Sequence, residues 1–205
     1  MKEVRVVIFA KAPRPGEAKT RLIPALGRQG AAELARRLLD HAIEQALRAD
    51  IGTVELCRTP DDERAWENVR VPATLAQSVQ GTGDLGVRLA RASRRVVDAG
   101  RAVLLIGTDC PALDARALRQ LADSLKEVDA AIAPAADGGY VALALNRYHP
   151  RLFEHINWSS STVAAETLRR LADLGWSTRE LPTLHDIDEP TDLKWLPPHW
   201  SMSGT

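Results

Sequence analysis

The stretch FAKAPRPGEAKTRL (residues 9–22) begins inside a short β-rich run, VRVVIFA (4–10), and continues into a basic loop. The loop carries four cations: Lys11, Arg14, Lys19 and Arg21. Buried cations need partners, and phosphate oxygens suit them because arginine can bind such oxygens bidentately. Gly16 would let the backbone approach a ligand closely. The stretch is either a solvated surface loop or an anion-binding loop, and its position at the end of a strand favours anion binding.

β-rich runs and helical patterns alternate along the rest of the chain. AVLLIG (102–107) is the most apolar run, and the pair DAAIAPA (129–135) and GYVALAL (139–145) flanks a hairpin-type turn. This alternation predicts a three-layer α/β/α fold around a mostly parallel mixed sheet. In such sheets the ligand crevice lies outside the carboxyl ends of the strands, so the loops that follow strands form the candidate site.

Length and charge limit the class of protein. The 205 residues are enough for one domain, predicted over 1–196, followed by a proline-rich flexible tail over 197–205. Lys plus Arg and Asp plus Glu number 27 each, and zero net charge argues against a nucleic-acid or anionic-membrane surface. No apolar run approaches the length of a membrane span, and the N-terminus has no signal-peptide pattern. We therefore expect a cytoplasmic protein.

Three common kinds of site are disfavoured by the sequence. The basic loop contains neither GxxxxGK[ST] nor GxGxxG, which argues against a P-loop kinase and an NAD-dependent dehydrogenase. Cys57 and Cys110 form no CxxC pair and no Cys/His cluster, so a zinc site is not expected. Cys110 also has no obvious His base to make it a thiol nucleophile.

Carboxylates mark two further loops. Asp109 follows the most apolar run, and Asp114 is available to cap the next helix. Asp109 is therefore better explained as a ligand of a divalent cation that bridges two phosphates than as a turn residue. Asp186 and Asp188 alternate along the extended segment LHDIDEPTDL, which places both on one side. Two carboxylates on one side suit a metal or a sugar hydroxyl.

Three more features allow both a structural and a functional interpretation. Asp84 either caps the helix after QGTG or lies in the ligand pocket. Asp137, Gly138 and Gly139 form a hairpin turn, and the two glycines also leave room for a ligand against bare backbone. Trp158, beside three hydroxyl residues, is either a stacking platform for a base or sugar or part of a packed helix entry.

Six motifs occur in a fixed order: FAKAPRPGEAKTRL, QGTGDLGVRL, GTDCPAL, ADGGYVALAL, NWSSSTV and DIDEPTDL. With them the chain resembles the DUF2064 family of GT-A-like glycosyltransferases, also labelled arsenosugar-biosynthesis-type glycosyltransferases. It is more distantly similar to molybdenum-cofactor and phospholactate guanylyltransferases. The resemblance implies a GT-A, nucleotide-diphospho-sugar transferase-like fold and a basic loop that wraps nucleotide phosphates. It also implies that Asp109 stands at the position of a DxD-type metal aspartate.

Here the DxD-type motif reads Thr108-Asp109-Cys110, without the second aspartate. Asp188 or Asp186 is then the candidate for the second carboxylate, and Mg²⁺ or Mn²⁺ is the metal that the resemblance implies. The predicted metal ligands are Asp109 and Asp188.

The predicted function is metal-assisted transfer of a sugar from a nucleotide-sugar donor to an unknown small acceptor. Asp188 is the first candidate for the general base and Asp84 the second. The predicted sugar or acceptor contacts are Asp137, Gly138, Gly139 and Trp158. The alternatives are a nucleotidylyltransferase, which would couple a nucleoside triphosphate to a phosphorylated acceptor, and a non-catalytic nucleotide-sugar-binding protein. No nucleic-acid or membrane partner is expected.

Overall fold

The computed structural model describes residues 2–200. Seven strands form one sheet: β1 Val4–Lys11, β2 Gly52–Thr59, β3 Ala76–Val79, β4 Ala102–Ile106, β5 Ala130–Pro134, β6 Tyr140–Leu145 and β7 Thr178–Glu180. Their order across the sheet is β3-β2-β1-β4-β6-β5-β7. β6 runs antiparallel to β4 and β5, and the other neighbours pair in parallel. The mostly parallel mixed sheet and the β5–β6 hairpin are therefore confirmed.

Five α-helices cover the sheet: α1 Ile23–Ala49, α2 Glu63–Trp66, α3 Leu85–Asp98, α4 Ala115–Ser124 and α5 Val163–Asp173. Three short segments form 3-10 helices: Thr20–Leu22, Pro150–Leu152 and Pro190–Trp195. α1 begins at Ile23 with Pro24 in its first turn, a position where proline is compatible with a helix start. A break at Gly27, where φ is 69°, separates this first turn from the rest.

Successive side chains of β4 point to opposite faces of the sheet, and both faces are apolar. Leu104 and Ile106 pack on one face against residues of α1 and α4. Val103 and Leu105 pack on the other face against residues of α3 and α5. Every residue of β4 is buried, as expected for a strand covered on both sides. The three-layer α/β/α fold is thereby confirmed.

The parallel pairing of β1 with β4 brings the loops that follow them to the same edge of the sheet. The segment 185–188 joins them there, because the Ile187 amide donates a 2.8 Å hydrogen bond to the Asp109 carbonyl. The Ile187 side chain is fully buried against Leu22, Leu34 and Leu38. This anchor fixes the acidic segment beside the basic loop.

None of the helices in the described part of the chain has the length and apolar character of a transmembrane helix. The predicted tail, 197–205, is described as far as Trp200, whose ring meets His41 edge-on at 5.3 Å. Residues 201–205 lie outside the described residues, so the flexible tail stays a prediction.

Candidate functional site

A cleft at the carboxyl edge of the sheet has two connected parts. The charged chamber, of about 480 Å³, is lined among others by Lys11, Lys19, Arg21, Asp109 and Asp188. The apolar chamber, of about 230 Å³, lies towards β4 and β6 and is lined mainly by aliphatic and aromatic side chains. Four residues line both chambers: Phe9, Leu85, Asp137 and Ser159. The cleft therefore offers a polar and an apolar compartment that meet at Asp137.

Lys19 is the centre of the charged chamber. Its backbone is left-handed, with φ 48°, which turns the basic loop back over the sheet edge. The ammonium nitrogen lies 2.7 Å from Asp109 Oδ1 and 2.6 Å from Asp188 Oδ1, and it donates a 2.6 Å hydrogen bond to the Ile187 carbonyl. The side chain is only 8% exposed. Lys19 thus links the three segments that carry the predicted phosphate and metal residues.

The two carboxylates keep Lys19 charged. Burial by itself would lower the pKa of the ammonium, because a charged group loses hydration. Attraction and hydrogen bonding by Asp109 and Asp188 outweigh burial and raise the Lys19 pKa above its ordinary value. The pair of carboxylates is therefore arranged to hold a cation, and in this structure that cation belongs to the chain itself.

The other residues of the basic loop are dispersed. Lys11 lines the charged chamber and donates a 2.7 Å hydrogen bond to the Glu17 carbonyl. Arg21 also lines the chamber and lies 3.8 Å from Glu189 Oε1. Arg14 pairs with Glu17 at 3.4 Å on the surface, and neither Arg14 nor Gly16 is among the residues that line the chamber.

Asp109 and Asp188, the predicted metal ligands, fit a divalent cation only under two conditions. Hard oxygen donors suit Mg²⁺ and Mn²⁺, but Lys19 already lies between these carboxylates at hydrogen-bonding distance. Among residues 2–200 no group of three or more His, Cys, Asp or Glu side chains converges on one point. A metal here therefore requires that Lys19 withdraws and that a ligand or water completes the coordination.

The charge balance of the chamber favours such an additional cation when phosphates bind. Three cations line it, namely Lys11, Lys19 and Arg21. Four carboxylates line it as well: Glu17, Asp109, Asp137 and Asp188. Because the carboxylates outnumber the cations, a bound diphosphate would add negative charge to walls that do not neutralise it.

Two predicted residues have structural roles. The Asp84 carboxylate caps α3 by accepting a 2.9 Å hydrogen bond from the Val87 amide, and it lines neither chamber. Gly138 has φ +90°, and a Cβ there would lie 2.0 Å from the Ser161 carbonyl oxygen. Its bare backbone therefore faces the chain rather than the cleft.

Three other predicted residues do reach the cleft. Asp137 lines both chambers, and its Oδ1 accepts a 2.7 Å hydrogen bond from the Gly139 amide. Gly139 and Trp158 line the apolar chamber. Trp158 meets Tyr140 edge-on at 6.4 Å and also packs close to Gly86, so its ring forms a wall of the cleft while it holds the start of α3.

The spacing GxGxxG, absent from the basic loop, occurs at 81–86 as GTGDLG. Arginines of α3 hold this turn through its carbonyls: Arg88 donates to Gly83 and Arg91 donates to Gln80 and Thr82. A Cβ on Gly86 would lie 2.4 Å from the Phe153 carbonyl oxygen. The glycines are thus accounted for by packing within the chain, with no need for a dinucleotide.

Gln80 is a cleft residue that the sequence interpretation missed. It is buried, and its amide nitrogen donates 3.1 Å hydrogen bonds to the Ala10 and Cys57 carbonyls. It thereby ties together the ends of β1 and β2 and still lines the charged chamber. Gln80 could have been found from the sequence, because it is a polar residue directly after a strand, where the ligand crevice is expected.

Two acidic groups near the carboxylate pair have raised pKa values. Burial and then repulsion by Asp137, with smaller repulsion from Asp188 and Asp109, raise the pKa of Asp186 to about 6. Burial raises the pKa of the Cys110 thiol to about 11. A thiol held protonated in this way is a poor nucleophile at neutral pH.

Replacing Asp186 by Asn should stabilise the protein at neutral pH. Because the pKa of the carboxyl is higher in the folded chain, the wild type loses stability as pH rises from about 4 to about 6. Asn carries no charge, so the variant should be only slightly more stable than the wild type at pH 4. The difference in stability should be largest above pH 7. The side chain is only half-buried, and solvent screens part of the repulsion. We therefore expect an increase of about 2–4 °C in melting temperature.

Thermal unfolding from pH 4 to pH 8 measures this difference, with Asp61→Asn, an exposed aspartate after β2, as control. A gain that is equal at pH 4 and pH 8 would contradict the electrostatic origin.

The chain is similar to solved structures along nearly its whole length. A crystal structure from Desulfovibrio desulfuricans G20, named a "putative nucleotide-diphospho-sugar transferase", shares 28% identity at a TM-score of 0.89, with 100% of this chain and 90% of that chain covered. Rv0371c from Mycobacterium tuberculosis H37Rv, crystallised in complex with manganese, shares 17% identity at a TM-score of 0.55, with 95% and 97% covered. A 4-diphosphocytidyl-2C-methyl-D-erythritol synthase from Anaerococcus prevotii DSM 20548 shares 12% identity at a TM-score of 0.62, with 95% and 94% covered. The last two similarities concern the fold alone.

No curated protein sequence matches the chain. The family model DUF2064, described as an uncharacterized protein conserved in bacteria, matches residues 38–160. This range holds more than half of the chain and includes Asp84, Asp109, Asp137 and Trp158. The chain therefore belongs to the DUF2064 family, with a fold like that of nucleotide-diphospho-sugar transferases.

Proposed function

We propose that the protein is a metal-assisted glycosyltransferase that moves a sugar from a nucleotide-sugar donor to a small acceptor. The observation that carries this proposal is the charged chamber, where Lys11, Lys19 and Arg21 line the same space as the Asp109–Asp188 pair at the carboxyl edge of the sheet. The 28% identical transferase-named structure supports the choice of donor class.

The donor's diphosphate would lie against the cations of the charged chamber. Lys11 and Arg21 line it, and Lys19 would contribute as soon as it leaves the carboxylates. Arg14 would have to turn away from Glu17 to take part. Gly16, with φ +81°, allows the tight turn that brings these side chains around one ligand.

Mg²⁺ or Mn²⁺ would be held by Asp109 and Asp188 and would supply neutralisation of the charge that develops on the diphosphate. Lys11, Lys19 and Arg21 would act on the same charge from the protein side. They orient the diphosphate and stabilise it as it leaves.

Transfer requires that a hydroxyl oxygen of the acceptor attacks the anomeric carbon of the donor sugar. The bond from that carbon to the phosphate oxygen breaks, and its electron pair leaves with the nucleoside diphosphate. The hydroxyl proton passes to a carboxylate. Asp188 would hold the metal, and Asp84 lies outside the cleft. Asp137, which lines both chambers, is therefore the preferred proton acceptor.

Nucleotidylyl transfer is the second candidate, because three cations in one chamber would suit a triphosphate as well as a diphosphate. An acceptor phosphate oxygen would then attack the α-phosphorus, and pyrophosphate would leave. A non-catalytic nucleotide-sugar-binding protein would use the same chamber without turnover.

Thermal unfolding in the presence of nucleotide sugars and nucleoside triphosphates, with and without Mn²⁺, tests the proposal. A ligand at a hundred times its Kd stabilises the folded state by about 2.7 kcal/mol, which corresponds to roughly 5–10 °C for a chain of this length. We expect that shift with one nucleotide sugar and a larger one when Mn²⁺ is added.

Arg21→Ala should abolish most of the shift, whereas Arg48→Ala, on the far end of α1, should leave it unchanged. Stabilisation by a triphosphate and by no nucleotide sugar would favour nucleotidylyl transfer. No shift with either class would refute nucleotide binding in the charged chamber.

A further inference from the structure

The apolar chamber differs chemically from the rest of the cleft. Its walls include Leu85, Leu89, Leu105, Val141, Trp158 and Val163. Among the described residues that line it there is no lysine or arginine, and Asp137 is its carboxylate. A phosphate would therefore find no counter-charge there, whereas an apolar group would find contacts on several sides.

Two residues of this chamber are not explained by folding alone. Leu85 is 43% exposed at the opening that both chambers share. Tyr140 lines the chamber, and its buried hydroxyl has no hydrogen-bond partner within residues 2–200. Exposed leucine in a concave site and an aromatic wall are typical of a surface that a ligand covers.

We propose that the apolar chamber binds the acceptor and that the acceptor carries a compact apolar group, a single ring or a branched chain, next to the hydroxyl that receives the sugar. This inference rests on the proposed transferase function. The group would lie between Trp158, Leu85 and Leu89. The hydroxyl would then point towards Asp137, where the two chambers meet.

The volume of the chamber suits a group of this size. It measures about 230 Å³, and an apolar protein cavity of about 150 Å³ is enough to bind benzene. A complete nucleoside with its diphosphate needs the charged chamber instead, which measures about 480 Å³ and holds the cations.

The order of the strands also separates the two substrates. The charged chamber extends over the ends of β1, β2 and β3, through Ala10, Thr59 and Gln80. The apolar chamber extends in the other direction, over β4 and β6. Donor and acceptor would thus approach Asp137 from opposite sides, as transfer between them requires.

Gly107 gives a direct way to fill the apolar chamber. It lines the chamber, its φ is not left-handed, and a Cβ there would meet nothing within 4 Å. Its amide donates a 3.2 Å hydrogen bond to the Val141 carbonyl, so the strand continues and Gly107 shares a face with Leu105. Because the Cβ has room and lies on the chamber side, Gly107→Leu should fill part of the chamber and Gly107→Ala a smaller part.

Benzyl alcohol is the probe, its binding measured by ligand-observed NMR, with glycerol as a hydroxyl compound that has no ring. We expect benzyl alcohol to bind the wild type with a millimolar Kd. Its affinity for Gly107→Leu should be at least tenfold lower, and its Kd for Gly107→Ala should lie between the two. Leu85→Gln, which makes the shared opening polar, should also weaken it. Val87→Gln, on the same turn of α3 but outside both chambers, should not.

Nucleotide-sugar binding to the same variants, followed by thermal unfolding, separates the two proposals. If Gly107→Leu binds the nucleotide sugar as the wild type does but no longer binds benzyl alcohol, the acceptor subsite is supported. Loss of nucleotide binding in that variant would overturn it, because the chamber would then hold the base. Absence of benzyl alcohol binding to the wild type, or equal binding to Gly107→Leu, would overturn it too. Benzyl alcohol binding without any nucleotide response would refute the transferase proposal while the apolar site stands.

Discussion

Lys19→Met should raise the affinity of the protein for Mn²⁺ at least tenfold in the absence of nucleotide. In the wild type the Lys19 ammonium lies 2.7 Å and 2.6 Å from the carboxylate oxygens of Asp109 and Asp188. A metal that binds this pair must first displace a cation that the chain holds in place. Met has a similar length and no charge, so the same two carboxylates would be left to attract the metal.

The same substitution should also change stability in a metal-dependent way. Without Lys19 the two carboxylates repel each other and lose a buried counter-charge. We expect the melting temperature of Lys19→Met to fall without metal and to recover when Mn²⁺ is added. The wild type should respond less, since Lys19 already offsets part of the charge of its two carboxylates.

Isothermal titration with Mn²⁺ measures the affinity, and Arg21→Met is the matched control. Arg21 belongs to the same loop, but its side chain is exposed and faces Glu189 rather than the Asp109–Asp188 pair. Mn²⁺ affinity should stay at the wild-type value in that control and should be lost in the double variant Lys19→Met/Asp109→Asn. Equal Mn²⁺ affinities of Lys19→Met and the wild type would show that the metal does not compete with Lys19.

The sequence indicated only part of this arrangement, because it left either Asp186 or Asp188 as the partner of Asp109. Asp109 was expected at the carboxyl end of the most apolar strand, and the alternation of Asp186 and Asp188 indicated one functional side. The position of Lys19 was not predictable in the same way. It depends on a left-handed backbone at a non-glycine residue and on the burial of Ile187 far along the chain. Local patterns carry neither kind of information.

The fold itself was predictable because its signals are local and repeat. The strands β1, β4, β5 and β6 appear as short apolar runs, and the buried face of α3 appears as Leu89, Ala92 and Val96 at helical spacing. Residues with two plausible roles were harder to assign. Asp84 carries the same sequence signal whether it caps a helix or binds a ligand, and only its hydrogen bond to Val87 distinguishes the two.

Gly138 presents the same difficulty, and its substitution should have the largest effect on stability. Its φ of +90° is unfavourable for any residue with a Cβ, and the added atom would lie 2.0 Å from the Ser161 carbonyl oxygen and 2.4 Å from its carbon. Both contacts are with backbone, so no side-chain rotation can relieve them. The Gly138 carbonyl also accepts a 2.9 Å hydrogen bond from the Ala164 amide, which holds α5 against the hairpin.

Gly138→Ala should therefore destabilise the protein by more than about 3 kcal/mol, the sum of backbone strain and displacement of the packed segment. This is a large part of the roughly 5–15 kcal/mol that stabilises a typical domain. Gly139→Ala is the matched control. Its φ is not left-handed, and its nearest neighbour is the Asp137 side chain at 3.1 Å, which can move. The control should lose less than about 1 kcal/mol.

Chemical denaturation of both variants measures the difference in the free energy of unfolding. The result decides between the two roles that the sequence left open for Gly138. A ligand contact would leave the stability of Gly138→Ala near that of the wild type and would reduce only the ligand-induced rise in melting temperature. A packing role would lower stability without any ligand, because the loop that carries Trp158 and Ser159 into the cleft would no longer fit against the hairpin.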